Sequence, residues 1–280
     1  MTNPNEICRR IRDRSCVELT DNLLRMHLPM CAYYPLLGYI GLMELRRSHW
    51  LGVQPFALYV HGKSALRLPP IARGMYITDV DAATPLCALP ITRLQEELMR
   101  GDTLLTYESW SLYDEPSMRP HIESKLTAIS CHMDCITRTG VIVAGQAPLE
   151  LSARVRAGYY AIDVGSHVTC DGALFRAISE GVPSRARSAF ARYLRVHWGM
   201  MPNANRLYKA TREMLRKAVP GAPTRSIHQA AALLTGWELV ESWRCETLRT
   251  QRDPQRLREA AHAIGHNLDI SDTDMEVLTQ

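Results

Sequence analysis

Between residues 56 and 164 the chain keeps breaking into short runs that are partly β-branched or aromatic, each bounded by Gly, Pro or Asp, and this rhythm most restricts the folds open to it. The runs are 56–61, 75–80, 103–112, 125–131, 140–144 and 158–164. Among them, residues 90–100 set Ile91, Leu94 and Leu98 at helical spacing behind Pro90, which suits a first helical turn. Ahead of them, residues 4–14 open as a short helix, and residues 34–47 read as a mostly apolar helix or strand-helix junction. The expectation is a β-rich unit.

After Met201 the character changes, and Gly and Pro separate helices. Residues 205–218 place Leu207, Met214, Leu215 and Ala218 on one face, with Arg206, Lys209, Arg212 and Arg216 recurring every three or four positions on another. Val219-Pro220-Gly221 stops that helix. Thr224 or Ser226 is positioned to cap a second one that runs through Leu234 and ends at Gly236, and a third is expected over 237–250. Asp253-Pro254 then supplies an N-cap and an N1 proline for a last helix, with Leu257, Ala260, Ala261 and Ile264 inside and Gly265 at its close. The reading is an α+β fold: a mixed or antiparallel sheet in an RNA-binding core over residues 1–200, and a helical C-terminal region over 201–280.

Composition removes several classes. At 46% hydrophobic and 22% charged, the 280-residue chain is an ordinary globular sequence and not a disordered one. Its eight cysteines lie in a chain large enough to need no disulfide staples, so most read as reduced core residues. Glu6, Arg9, Arg10, Arg12, Asp13 and Arg14 crowd the N-terminus and leave no apolar signal segment. The longest apolar stretch, 28–45, is interrupted by Pro29, Pro35, Gly38, Gly41 and Glu44, which excludes a spanning helix there. A cytoplasmic protein is expected.

Charge is more informative in its placement than in its total of +4. From Arg176 to Arg225, eleven basic residues face Glu180 and Glu213, a local +9 that leaves the other residues at −5. A solvated face is one reading of such a run, and a polyanion-binding face is the other. The positive residues are 29 Arg and four Lys, and the guanidinium fork grips phosphate bidentately where an ammonium offers a point charge. A GC-rich genome would also raise Arg. Phe190, Tyr193, Trp198 and Tyr208 interleave with the basic residues as in surfaces that combine backbone attraction with base stacking, although Phe190 and Trp198 also suit a core.

Catalytic and metal motifs are sparse. Cys131, His132 and Cys135 form the one tight Cys/His cluster, and a zinc site would need His121, His167 or Cys170 from a distance, so neither metal nor cofactor is expected. No GxSxG, HExxH, Walker or GxGxxG motif is readable. Residues 226–243 echo a helix-turn-helix, but Trp243 arrives about two residues early and Glu238, Glu241 and Glu246 would repel phosphate, which favours a packing unit.

The stretch 158–165, then Leu174 and Ile178, then 181–196, resembles a strand, helix and basic loop found in CRISPR-associated RAMP proteins, in particular the backbone subunit that caps the 5′ end of the guide RNA in small class 1 complexes of the type IV kind. Leu89-Pro90-Ile91 and Tyr107-Glu108-Ser109-Trp110 resemble a second element of that subunit, and together these cover under half of the chain. The resemblance implies a ferredoxin-like or RRM-like core, a basic loop over 184–190, guide-RNA contact through Arg185, Arg187 and Arg192, and assembly with other subunits.

The combined expectation is a non-catalytic, nucleic-acid-binding subunit of a ribonucleoprotein complex, with RNA the favoured partner alongside other protein subunits and no membrane. The nucleic-acid-binding residues are expected to be Arg185, Arg187, Arg192, Tyr193, Arg195, Arg206, Lys209, Arg212, Arg216 and Lys217. A viral or phage nucleoprotein or matrix-like structural protein, and an enzyme acting on nucleic acid, are the rivals.

Overall fold

The computed structural model describes residues 4–47, 55–76, 84–100, 104–109, 117–133, 139–148, 151–197 and 202–268. Two long helices come first, α1 (Pro4–His27) and α2 (Met30–Arg47). Strand β1 (Ala57–His61) is followed by α3 (Leu68–Gly74), and β2 (Thr84–Pro85) by α4 (Ile91–Arg100). Next come β3 (Leu104–Glu108), α5 (Arg119–His132), β4 (Gly140–Gly145), α6 (Ala153–Arg156) and β5 (Tyr159–Asp163). Five α-helices follow among the described residues: α7 (Gly172–Ser179), α8 (Val182–His197), α9 (Pro202–Ala218), α10 (Thr224–Leu248) and α11 (Pro254–Gly265).

The five strands form one sheet in the order β2-β3-β4-β1-β5, and every pairing is parallel. This corrects the expected mixed or antiparallel sheet, and with it the ferredoxin-like or RRM-like core. The physical reason is visible in the two central strands, where Leu58, Tyr59 and Val60 in β1 and Val141, Ile142, Val143 and Ala144 in β4 are apolar without a break and fully buried. Such runs belong to parallel strands covered by helices on both faces, whereas an antiparallel sheet with one wet face alternates.

Each face has its own core. Leu58, Val60, Ile142, Tyr160 and Ile162 point toward α2, α3, α7, α8 and α10. Tyr59, Val141, Val143 and Tyr159 point the other way, toward α4 and α5. The helix after β1 therefore lies on one face and those after β2 and β3 on the opposite one. Residues 125–131, expected as a strand, belong to α5: Pro120 stands in its first turn, and Ile122, Leu126, Ile129 and Met133 recur every three or four positions on the buried stripe. Met75 and Tyr76 form a turn after α3, and the rest of the expected strand over 75–80 lies outside the described residues.

The two helices expected to part at Gly236 are one, α10, which crosses α2 at very short range. A Cβ on Gly236 would overlap the Gly38 carbonyl oxygen, and one on Gly38 or Gly41 would meet the carbonyl of Leu233 or Gly236. Gly236 is thus a contact surface and not a terminator. The capping read from Asp253 holds: its side chain accepts from the Gln255 amide at 2.9 Å, with Pro254 in the first turn of α11. Among the described residues no helix is long and apolar enough to cross a membrane.

Candidate functional site

In an open parallel sheet a ligand crevice forms where neighbouring strands send their following helices to opposite faces, beyond the strand C-termini. Here that point lies between β1 and β4, and the residues leaving β1 are Gly62-Lys63-Ser64. They match the last three positions of the phosphate-binding G-x-x-x-x-G-K-S/T loop without the glycine-led stretch before them, which is why no Walker motif is readable. The loop is folded against the turn after β5. The Ser64 amide donates to the Gly165 carbonyl at 3.0 Å, the Ser64 hydroxyl donates to the same oxygen at 3.2 Å, and the Val168 amide donates to that hydroxyl at 3.0 Å. Gly62 (φ +123°) sits so close to Gly165 that an added Cβ would lie 2.6 Å from the Gly165 nitrogen. The amide and hydroxyl that a phosphate would need are engaged inside the protein. Burial lowers the affinity of the neighbouring His61 for a proton despite Asp163 beside it.

A second concavity of about 840 Å³ opens between α1, α8 and the C-terminal end of α10. Arg9, Arg10 and Arg14 line it from α1, Arg192 and Arg195 from α8, and Arg249 from the residue that caps α10. With Glu6, Asp13 and Glu246 on the same walls, six guanidiniums face three carboxylates, a net +3. Arg10 pairs with Glu6 at 2.6 Å and Arg192 with Asp13 at 2.9 Å. Arg9, Arg14, Arg195 and Arg249 make no ion pair among the described residues. Tyr193 and the largely exposed Val196 lie among these cations, and Trp243 closes the wall, tilted against Phe190 with ring centroids 5.3 Å apart.

The end of α10 is held by a buried ionic cluster. Arg244 grips Glu241 through two bonds of 2.6 and 2.8 Å, and Arg256 on α11 reaches Glu241 and Asp21 of α1 at 3.2 Å each. Arg249 itself has φ 57° and ψ 41°. It is the only non-glycine residue among the described ones with positive φ, at a position where helices ordinarily end in Gly or Asn. Its amide reaches back to the Glu246 carbonyl at 3.3 Å.

The structure distributes the residues singled out from sequence unevenly. Residues 184–190 are not a loop but lie within α8, whose buried Ala186, Ala189, Phe190 and Leu194 pack on the core at helical spacing. Arg192, Tyr193 and Arg195 reach the cleft. Arg185 folds back onto the carbonyls of Glu180 and Gly181 at the end of α7. Arg187 points inward, where it pairs with the buried Glu44 at 2.7 Å and lies over the Tyr76 ring at 4.5 Å. Arg206, Lys209, Arg216 and Lys217 are exposed along α9, while Arg212 lies over the Tyr208 ring at 5.9 Å. The +9 segment is therefore spread over four helices, with Arg176 on α7, Arg225 on α10 and the rest divided between α8 and α9. Arg9, Arg10, Arg14 and Arg249 were missed as ligand-facing residues. A signal existed for the first three, since Arg10 and Arg14 stand four apart on one helix face, but nothing local placed α1 opposite α8.

No group of three or more metal-binding side chains occurs among the described residues, and Cys135 lies outside them. No protein-family model matches the sequence, and no curated protein matches it. The fold is similar to that of a solved structure described as "SCCmec type IV Cch - active helicase", with a TM-score of 0.50 and 12% sequence identity over 81% of this chain. The match spans 46% of that longer chain. At this identity the likeness is one of fold.

Proposed function

We propose that this protein binds nucleic acid by gripping the phosphate backbone in the arginine-lined cleft between α1, α8 and the end of α10. One observation carries the reading: guanidiniums from three separate segments converge on a single concavity, four of them without a carboxylate partner among the described residues. Phosphate is the ligand chemistry that unpaired, forked donors recognise best. The exposed basic stripe of α9, with Arg206, Lys209, Arg216 and Lys217, offers further backbone contacts outside the cleft. That the fold is shared with a chain described as a helicase fits a nucleic-acid setting.

The finer reading is that of an RNA-binding subunit working with other proteins. Leu19 and Met26 stand exposed on α1 as separate apolar side chains that a neighbouring subunit would cover. The test is binding of labelled oligonucleotides across a salt series. Each phosphate contact removed should lower the slope of log affinity against log salt by about 0.7 to 0.9. Charge reversal of Arg14 and Arg195 together should weaken binding steeply and flatten that slope, while reversal of Arg185 should do neither. Unchanged affinity in the double variant overturns the assignment. Sequencing whatever nucleic acid co-purifies from the native host separates RNA from DNA.

A further inference from the structure

We infer that α9, with His228 of α10 beside it, forms a second phosphate-binding surface whose hold on the backbone tightens as the pH falls; this deepens the nucleic-acid reading above and rests on it. α9 lies against α10 and buries Ala204, Tyr208, Thr211 and Leu215. Arg206, Lys209, Arg216 and Lys217 are exposed on it, and none of them makes an ion pair among the described residues. Glu213 stands four positions from both Lys209 and Lys217, the spacing at which helix ion pairs form, yet it pairs with neither. The positive charge of this face is therefore left for a ligand.

Tyr208, Arg212 and Arg216 stand four apart and share one edge of α9. That edge meets His228, a half-buried imidazole in the second turn of α10. The Tyr208 hydroxyl lies 3.2 Å from His228 Nδ1, and the two rings meet edge to face with centroids 6.3 Å apart. The Arg212 guanidinium lies 5.9 Å from the centre of the Tyr208 ring, and Arg225 stands three positions before His228 on α10 itself. Burial, and then the positive charges of Arg212 and Arg216, keep His228 from taking a proton, and no carboxylate among the described residues offsets them. The imidazole is thus a further member of a cationic cluster, and the one whose charge depends on pH.

A phosphate oxygen arriving beside Arg212 and Arg216 cancels the charge that repels the proton, and its own negative charge favours the imidazolium. The bound state then holds the His228 proton more tightly than the free one. By linkage the protonated ring holds the phosphate more tightly by the same factor. In the free protein His228 titrates below the ordinary value of about 6.5, so the gain is absent at pH 8 and grows as the pH falls through about 6.5. Arginines alone would give no such dependence, because guanidinium stays charged throughout. The cleft between α1, α8 and α10 has no histidine among its described lining residues, so the dependence on pH tells the two surfaces apart.

The experiment uses the full chain and a rhodamine-labelled twelve-nucleotide oligouridylate with hydroxyl ends, a probe whose charge is constant between pH 5.5 and pH 8. Fluorescence anisotropy at fixed salt should give about fivefold tighter binding at pH 5.5 than at pH 8, the low end of coupling between two sites. His228→Gln should bind as the wild type does at pH 8 and lose most of the gain below it. Calorimetry at pH 6.5 in two buffers of different ionisation heat counts the proton directly. The wild type should take up a fraction of a proton on binding, and Arg216→Gln, which removes one of the two repelling charges, should take up less. Should His228→Gln fail to fold, equal uptake by Arg216→Gln and wild type still overturns the inference. No gain in the wild type, or the same gain in His228→Gln, overturns it as well and leaves phosphate gripping by the cleft standing. Absence of binding at every pH overturns both.

Discussion

Arg249 sets a stability cost against a binding gain, so one substitution tests both. Its φ of 57° and ψ of 41° are left-handed, which costs an L side chain about 1–2 kcal/mol. Replacing it with Gly removes that strain but adds unfolded-chain entropy of about 0.4–1 kcal/mol. The net expectation is a gain of about 0.5–1 kcal/mol, or roughly 1–3 °C in Tm for a chain of this size. Binding should move the opposite way. A charge-assisted hydrogen bond contributes about 1.5–3 kcal/mol when desolvated. Because Arg249 is exposed at the lip of the cleft, solvent screening takes the contribution below that range, and the loss should be about three- to tenfold in affinity. Differential scanning fluorimetry and anisotropy on the same preparation read the two effects. Arg249→Lys should restore part of the affinity with no gain in Tm, while Arg249→Asn should keep the fold and lose the charge. A fall in Tm for Arg249→Gly would refute the strain argument, and unchanged affinity would refute the role at the lip.

Three other outcomes follow from the packing. Arg187→Ala removes the 2.7 Å ion pair to the buried Glu44 carboxylate and should cost up to about 3 kcal/mol in urea unfolding, with no change in the salt dependence of binding by the protein that remains folded. Gly236→Ala forces a methyl against the Gly38 carbonyl where α2 and α10 cross and should cost well over 1 kcal/mol, read as a lowered urea midpoint, whereas Gly221→Ala, in open space, should be near neutral. Among the described thiols, Cys8 and Cys131 are exposed and should react first with a disulfide reagent at pH 8; the half-buried Cys31, its thiol pKa pushed up by burial and by Asp163 beside it, should react more slowly, and the buried Cys16 and Cys245 only as the chain unfolds. Equal rates for all five would contradict the burial pattern.

Local chemistry made several elements legible from sequence. The proline and aspartate at 253–254 specify the start of α11 wherever that helix packs, because capping satisfies backbone groups within one turn. The amphipathic pattern of α9 and the apolar runs of β1, β4 and β5 were likewise readable, since helix and strand periodicities are intrinsic to the backbone. Sheet direction was misread as mixed or antiparallel: the unbroken apolar runs of β1 and β4 suit a parallel sheet, but short apolar strands can be paired on paper in either sense. What sequence could not supply was distance between segments far apart in the chain. Gly236 reads as a helix stop until α2 is laid across it, and Arg187 reads as a surface charge until Glu44 is found beneath it. The cleft is the clearest case. Its cations come from residues 9–14, 192–195 and 249, and the arrangement of α1, α8 and α10 on one face of the sheet is a property of tertiary packing, in which hydrophobic burial decides which helices meet and so which charges face one another.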